Sequence, residues 1–264
     1  MTHARASQPW RLLLVSPRSG AENMARDMGL LDRARKTGEI VFSVYGWERP
    51  TLSLGRNQAA RGQYDIAAAE RRGVDIVRRP TGGRALLHDR EITYSVTAPL
   101  GADESLTDSY RRFNGILLDG LRRLGVDVSE ATATMQMPRP GTLPCFATPA
   151  NGELVSNGAK LVGSAQLRED GALLQHGSIL IEDDQPIIGE LLVESDAASE
   201  VPAAATLSQS LGRIPGTGEV ANALFEAVAQ LEDRNASALA EDETAEFTAA
   251  HIDKYRSEWW TWRR

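Results

Sequence analysis

Apolar residues recur along this chain in two rhythms, and the switches between them lay out its elements. Arg11 to Val15 is a short apolar run that reads as a strand, ended by Pro17, Ser19 and Gly20. From Ala21 to Lys36 the apolar positions Ala21, Met24, Ala25, Met28, Leu31 and Ala34 fall three and four apart, which predicts a one-faced helix closed by Gly38. Glu39 to Trp47, rich in β-branched and aromatic residues, and Pro50 to Gly55 read as strands. A short helix over Asp65 to Arg72 and a strand over Val74 to Arg78 lead into Pro80-Thr81-Gly82-Gly83, whose glycine pair demands an unusual backbone path.

Leu86 to His88 and Glu91 to Val96 suggest two antiparallel strands joined by Asp89-Arg90. The most regular amphipathic stretch follows, with Tyr110, Phe113, Leu117, Leu121 and Leu124 on one helical face and Ser105 or Thr107 as its cap. Met135 to Pro144 holds three prolines and a glycine and reads as an irregular loop. Strands over Glu153 to Val155, Lys160 to Arg168 and Leu173 to Ile181, divided by the hairpin dipeptides Asn157-Gly158 and Asp170-Gly171, form a β-meander. Beyond Pro186 the reading is helical: Ile187 to Val193, Gly218 to Leu231 and Glu241 to Tyr255, with a small polar stretch from Asp196 to Ala205. Strands mixed with isolated helices, without strict alternation, give an α+β class built on a mostly antiparallel sheet. The expectation is one domain over residues 8–264, with a sheet core over about 10–190 and a helical C-terminal segment over about 205–264.

Composition narrows the chemistry. The 264 residues can bury a full core, and a net charge of -7 gives no general attraction to phosphate backbones, which argues against nucleic acid. No run approaches the length of a membrane span, and only Leu12 to Val15 are consecutively apolar near the start, too few for a signal sequence. With a single cysteine and no export signal, the expected compartment is the reducing cytoplasm.

That cysteine, Cys145, is the first candidate for chemistry. A lone cysteine is most often a small core hydrophobe, yet this one follows the proline-rich loop and precedes small polar residues, a setting open to nucleophilic use. Lys160 lies fifteen residues on, beside an Asn-Gly turn where lysines are ordinarily solvated. The Leu-Val-Gly163-Ser164-Ala165 strand after it carries tiny residues that allow close approach, so its ammonium could meet a substrate carbonyl and steady the developing oxyanion.

Arg78, Arg79 and Arg84 around the glycine pair make a donor-rich surface suited to a phosphate or carbonyl group, without the spacing of a P-loop. His88 beyond it is either a structural or a site histidine. Gly216-Thr217-Gly218 reads as a helix start, four scattered histidines give no metal pair, and Trp259-Trp260-Thr261-Trp262 reads as an anchoring tail.

Arg78-Arg79-x-Thr81-Gly82-Gly83-Arg84-Ala85, then His88 and Thr93-Tyr94-Ser95, resembles the signature of the biotin/lipoate ligase and octanoyltransferase superfamily. Asn23-Met24-Ala25-x-Asp27, Leu52-Ser53-Leu54-Gly55-Arg56-x-Gln58 and Lys160-Leu-Val-Gly163-Ser164-Ala165-Gln166 are similar to its other blocks. Cys145-Phe146, Gln175-His176-Gly177-Ser178 and Lys254-Tyr255-x-x-x-Trp259 narrow the likeness to the cysteine-dependent octanoyltransferases of the LipM type, over nearly the whole chain.

The resemblance implies a ligase-like, class II synthetase-like fold with a helical extension, and a monomer without cofactor or metal. It implies octanoyl-acyl carrier protein as donor and a lipoyl-domain protein as acceptor, such as the glycine cleavage carrier or a 2-oxoacid dehydrogenase subunit. Cys145 would attack the thioester while Lys160 positions its carbonyl. Arg78, Gly82, Gly83 and His88 would line the pocket, the Thr81 to Gly83 backbone would pass the acyl group, and Gly163, Ser164, Ala165 and His176 would also contact substrate. Burying the seven CH2 and CH3 groups of the acyl chain gives on the order of 5 to 6 kcal/mol toward choosing its length. Two alternatives stay open: an ATP-dependent lipoate-protein ligase, and a non-catalytic binder of acyl groups or carrier proteins.

Overall fold

The computed structural model describes residues 8–101, 105–131, 146, 152–194 and 202–264. Strand β1 (Trp10–Arg18) leads into helix α1 (Gly20–Thr37), whose start and stop are both set by local chemistry. Ser19 caps it and Glu22 completes a capping box, while Gly38 at φ 74° takes the left-handed turn that ends it. Strands β2 (Ile40–Trp47) and β3 (Thr51–Leu54), helix α2 (Ile66–Arg71) and strands β4 (Asp75–Arg78), β5 (Leu86–His88) and β6 (Glu91–Pro99) follow. Helix α3 (Leu106–Arg123) is capped by Ser105, one of the two residues expected to do so. Strands β7 (Ser129–Glu130), β8 (Leu154–Ser156), β9 (Ala159–Glu169) and β10 (Ala172–Leu180) come next. The last part holds helices α4 (Ile187–Glu190), α5 (Leu207–Leu211) and α6 (Thr217–Leu231), strand β11 (Ser237–Ala238), a 3-10 turn at Glu241–Thr244, and helices α7 (Ala245–Ala249), α8 (Ile252–Arg256) and α9 (Glu258–Thr261).

Two sheets organise these pieces. The larger runs β11-β1-β2-β6-β10-β9-β8-β7, parallel only where β1 meets β2 and β11; the smaller runs β4-β3-β5. The expected meander is present, with Asn157, Gly158, Asp170 and Gly171 all at positive φ, as tight hairpins require. Along β6 the side chains alternate: Ile92, Tyr94 and Val96 join Phe113, Leu117 and Leu224 in the main core, under α3 and α6. The opposite face meets α1 and the smaller sheet, and there Glu91, Thr93, Ser95 and Thr97 are buried polar residues.

Three expectations are corrected. Strands β5 and β6 do not pair with each other: Leu87 sits opposite Leu52 of β3 in a second apolar core, and β6 pairs with β2 and β10 in the large sheet. Glu241 to Tyr255 is no single helix, because the chain bends round α1; the Phe247 backbone presses on Gly29, and His251 Nε2 lies 2.6 Å from Asp32 Oδ2. The helix from Ile187 stops at Glu190, after which Leu192 bridges to Tyr64 and the Val193 amide donates to the Gln63 carbonyl. The helical C-terminal segment is present as expected, and it also adds β11 to the sheet edge, while the Ala60 and Arg61 amides donate to the backbone oxygen of Arg264. The loop expected at Met135 to Pro144 and the stretch from Asp196 to Val201 lie outside the described residues.

Candidate active site

The loop after β4 is fixed by two adjacent arginines with different tasks. Arg78 is fully buried and donates Nε to the Thr261 carbonyl at 2.8 Å and Nη1 to the carbonyls of Gly55 (2.6 Å) and Gln58 (2.8 Å). Burial, helped by neighbouring arginines, pushes its pKa down, yet a guanidinium stays charged. Trp260 Nε1 answers by donating to the Arg78 carbonyl at 2.8 Å. Arg79 turns the other way, donating to the Ser53 carbonyl and hydroxyl and to the carbonyls of Gly82 and Arg84, so it wraps the glycine pair. Gly83 has φ 99°, and a Cβ on it would stand 2.7 Å from Arg79 Nη2. A Cβ on Gly55 would stand 2.0 Å from the Gly83 carbonyl oxygen, so both positions need glycine.

Beneath this loop lies a narrow cavity of about 50 Å³ between the two sheets. Gly83, His88, Gly163, Ser164, Ala165 and His176, all expected at the site, line it from the loop, β5, β9 and β10. Met24, Tyr45, Trp47, Arg79, Leu86, Thr93 and Gly177 complete it. Arg78 does not reach it, which corrects the expectation that it lines the pocket: its guanidinium is held by the carbonyls behind the loop. Gly82 is exposed at the loop tip, and Thr81 is buried against His176. Cys145 lies outside the described residues.

Two imidazoles are held in matching ways. His176 has Nδ1 2.7 Å from Asp27 Oδ2 and Nε2 2.6 Å from the Thr81 hydroxyl, and Asp27 also accepts from Tyr45 OH at 2.9 Å. His88 has Nδ1 3.2 Å from Glu91 Oε1 and Nε2 2.9 Å from the Ser53 hydroxyl, while Thr93 and Ser178 donate to the same carboxylate. An ionised carboxylate only accepts, so Nδ1 carries a proton in both rings, and in a neutral ring Nε2 is the atom that accepts from the hydroxyl. Burial pushes the His88 pKa down, against the pull of Glu91. Trp47 stacks on His88 with centroids 4.0 Å apart and donates Nε1 to Thr93 Oγ1.

Lys160 stands behind the β9 wall. Its Nζ donates to Glu153 Oε1 at 2.7 Å and lies 5.1 Å from the centre of the Phe146 ring. That ring packs on Gly163, where a Cβ would come within 3.1 Å of it and within 3.3 Å of Lys160 Cε. On the main-core side, Tyr94 OH lies 2.7 Å from Ser164 Oγ and accepts from Gln175 Nε2 at 2.8 Å, which ties the strand bearing Gly163 to its neighbours.

Sequence reading did not single out Asp27, Ser53, Glu91 or Trp47 for a role. One signal was available for Asp27, a carboxylate between Met24 and Leu31 on the apolar face of α1, since a buried charge needs a specific partner.

The family described as the lipoyl protein ligase A/B catalytic domain matches this chain over residues 19–229. The octanoyltransferase LipM of Kyrpidia tusciae is 39% identical over an alignment covering 97% of this chain and 100% of that protein. The LipM of Symbiobacterium thermophilum is 38% identical, with 77% and 79% covered. Among solved structures, lipoate-protein ligase A bound with ATP superposes with a TM-score of 0.78 at 22% identity, over 97% of this chain and 99% of that one. A bipartite lipoate protein ligase of Thermoplasma acidophilum gives 0.77 at 22% identity, over 97% and 96%. At that identity the solved structures speak for the fold, which is the ligase-like fold expected from the sequence.

Proposed function

The chain belongs to the lipoyl protein ligase A/B catalytic domain family, and from that premise we propose that it is an octanoyltransferase working through Cys145. The observation that carries the reading is the convergence of Gly83, His88, Gly163 and His176 from four separate elements on one narrow cavity, in a chain similar along its length to octanoyltransferases. Residues 8–264 act as one catalytic domain, a monomer of the cytoplasm. Among the described residues no helix is long and apolar enough to cross a membrane.

The donor is an octanoyl thioester on acyl carrier protein. The Cys145 thiolate adds to its carbonyl, the carrier thiol leaves with the electron pair, and an octanoyl-cysteine thioester remains. One thioester replaces another, so this step is close to balanced. A lysine amine of a lipoyl-domain protein then adds to the new thioester, loses a proton, and expels the cysteine thiolate, forming an amide. That step runs downhill and needs no ATP. The acceptor is a glycine cleavage carrier or a 2-oxoacid dehydrogenase subunit.

Lys160 supplies positive charge next to the residue that follows Cys145, and Glu153 fixes its direction. Gly163, Ser164 and Ala165 give the acyl group a wall without bulk, and Gly83 borders it from the loop. His176, its Nδ1 engaged by Asp27, presents an acceptor nitrogen toward the loop.

Intact mass after incubation with octanoyl-acyl carrier protein tests the reading. Wild type should gain one octanoyl increment without ATP, and Cys145→Ala should gain none. Modification of a lipoyl domain only when free acid and ATP are supplied would make the protein a ligase instead. A stable carrier complex with no adduct would make it a binder.

A further inference from the structure

Many arginines among the described residues meet a carboxylate. Arg33 meets Glu39, Arg112 meets Glu232, Arg90 meets Glu182, and Arg213 meets Glu219. A basic cluster near the C-terminal helices is held differently. Lys254 Nζ lies 4.1 Å from the centre of the Trp260 ring and Arg263 Cζ lies 4.4 Å from the same centre, so two cations share one indole. Neither has a carboxylate within salt-bridge distance among the described residues. Arg56, the third member, reaches only Glu169, at 3.4 Å. The Lys254 pKa is pushed down by burial and further by Arg56 and Arg263, while Glu169 alone opposes this. In a chain whose net charge is -7, three gathered cations facing one carboxylate leave a local excess of positive charge.

Two more observations give the cluster a use. Beside it stands Trp259, 65% exposed and edge-on to Trp260, the most exposed large apolar side chain among the described residues. Tryptophan and arginine are both enriched among the residues that dominate protein–protein binding. The cluster also adjoins the site: Trp260 donates to the Arg78 carbonyl at the root of the glycine loop, and the Arg56 amide donates to the Thr81 carbonyl at 2.7 Å.

We propose that Trp259, Lys254, Arg263 and Arg56 form the docking surface for an acidic face of the acyl-bearing carrier protein. The partner's carboxylates would meet these cations while Trp259 provides the apolar anchor, leaving the carrier beside the loop over the cavity. The proposal rests on the donor assignment above. Complementary charge at an interface rim acts mainly on the rate of encounter and fades with added salt.

The test compares two donors and two variants. Acylation of Cys145 is followed with octanoyl-carrier protein and with octanoyl-pantetheine, which has the same thioester and no protein, and binding of the carrier alone is followed by fluorescence anisotropy. Arg263→Glu should lower kcat/KM for the carrier by about tenfold, an effect on encounter, and weaken carrier binding, with the small thioester used as well as by wild type. Trp259→Ala should act in the same direction, and high salt should erase much of the difference. Unchanged carrier kinetics and binding in both variants would overturn the proposal, as would equal losses with both donors, or a loss confined to transfer onto the lipoyl domain. Carrier binding that depends on Arg263 in a protein that acylates from neither donor would support the surface while refuting the transfer reading.

Discussion

Ile92, Tyr94 and Val96 look from β6 into the layer of α3 and α6, whereas Glu91, Thr93 and Ser95, one residue out of step, look into the layer of α1 and the smaller sheet. Both layers are buried, and they do opposite work. The first is a continuous apolar core in which Trp10, Phe42, Phe113 and Leu224 lose water and gain dispersion contacts. The second buries Asp27, His88, Glu91, Thr93, His176 and Ser178, groups whose removal from water is unfavourable unless each finds a partner. The histidine networks supply those partners, but Ser43 Oγ, Ser95 Oγ and Thr97 Oγ1 have none among the described residues. The difference teaches that stability is concentrated on one face of the sheet and chemistry on the other, with the apolar layer offsetting the polar one.

Substitutions can separate the two. The largest stability loss should come from Phe113→Ala, about 3–5 kcal/mol by denaturant unfolding for a buried aromatic, with turnover per folded molecule little changed. A drop in turnover there would blur the division. Asp27→Asn should cost less, about 1–3 kcal/mol, because two buried donors lose a carboxylate. It should nonetheless cut turnover tenfold or more, because His176 would lose the carboxylate that fixes its ring against the Thr81 loop and the site would be misaligned. Loss of stability with full turnover would make that face merely structural. For Gly163→Ala, the added methyl must displace the Phe146 ring or Lys160 Cε, so a stability cost of about 1 kcal/mol should accompany a raised KM for the donor.

The smallest effect is a pH slope. Burial lowers the folded-state pKa of His88 below its usual 6.5, so between the two values the unfolded chain binds more protons. The His88 contribution is therefore whole above about pH 6.5 and is lost as pH falls through the unfolded value toward the folded one. His88→Gln should flatten that segment of the stability curve in unfolding measurements repeated across pH. An unaltered slope would show that the ring does not titrate on unfolding.

Legibility in the sequence followed the range of the forces involved. The ends of α1 and both turns of the meander were readable, because Ser19 with Glu22, Gly38, Asn157-Gly158 and Asp170-Gly171 act on their own neighbours. The pairing of β5 with β3 was not, since Leu87 and Leu52 meet across a long separation and Asp89-Arg90 looks like any turn. At the site, Gly83 and Gly163 were legible because close approach leaves a mark in composition, whereas Gly82 stands exposed at the loop tip, outside the cavity lining. Arg78 and Arg79 were not separable, because adjacent residues at a strand end point in opposite directions and only the fold decides which meets the cavity. The contact of Asp27 with His176 spans 149 positions and leaves no local trace beyond a misplaced charge on a helix.

Thr261 and Trp260 clasp Arg78, and the Arg264 backbone oxygen takes the Ala60 and Arg61 amides. The glycine loop is thus guyed from a distant part of the chain, 183 and 182 positions away, and slack at that anchorage would reach the cavity without passing through the apolar core.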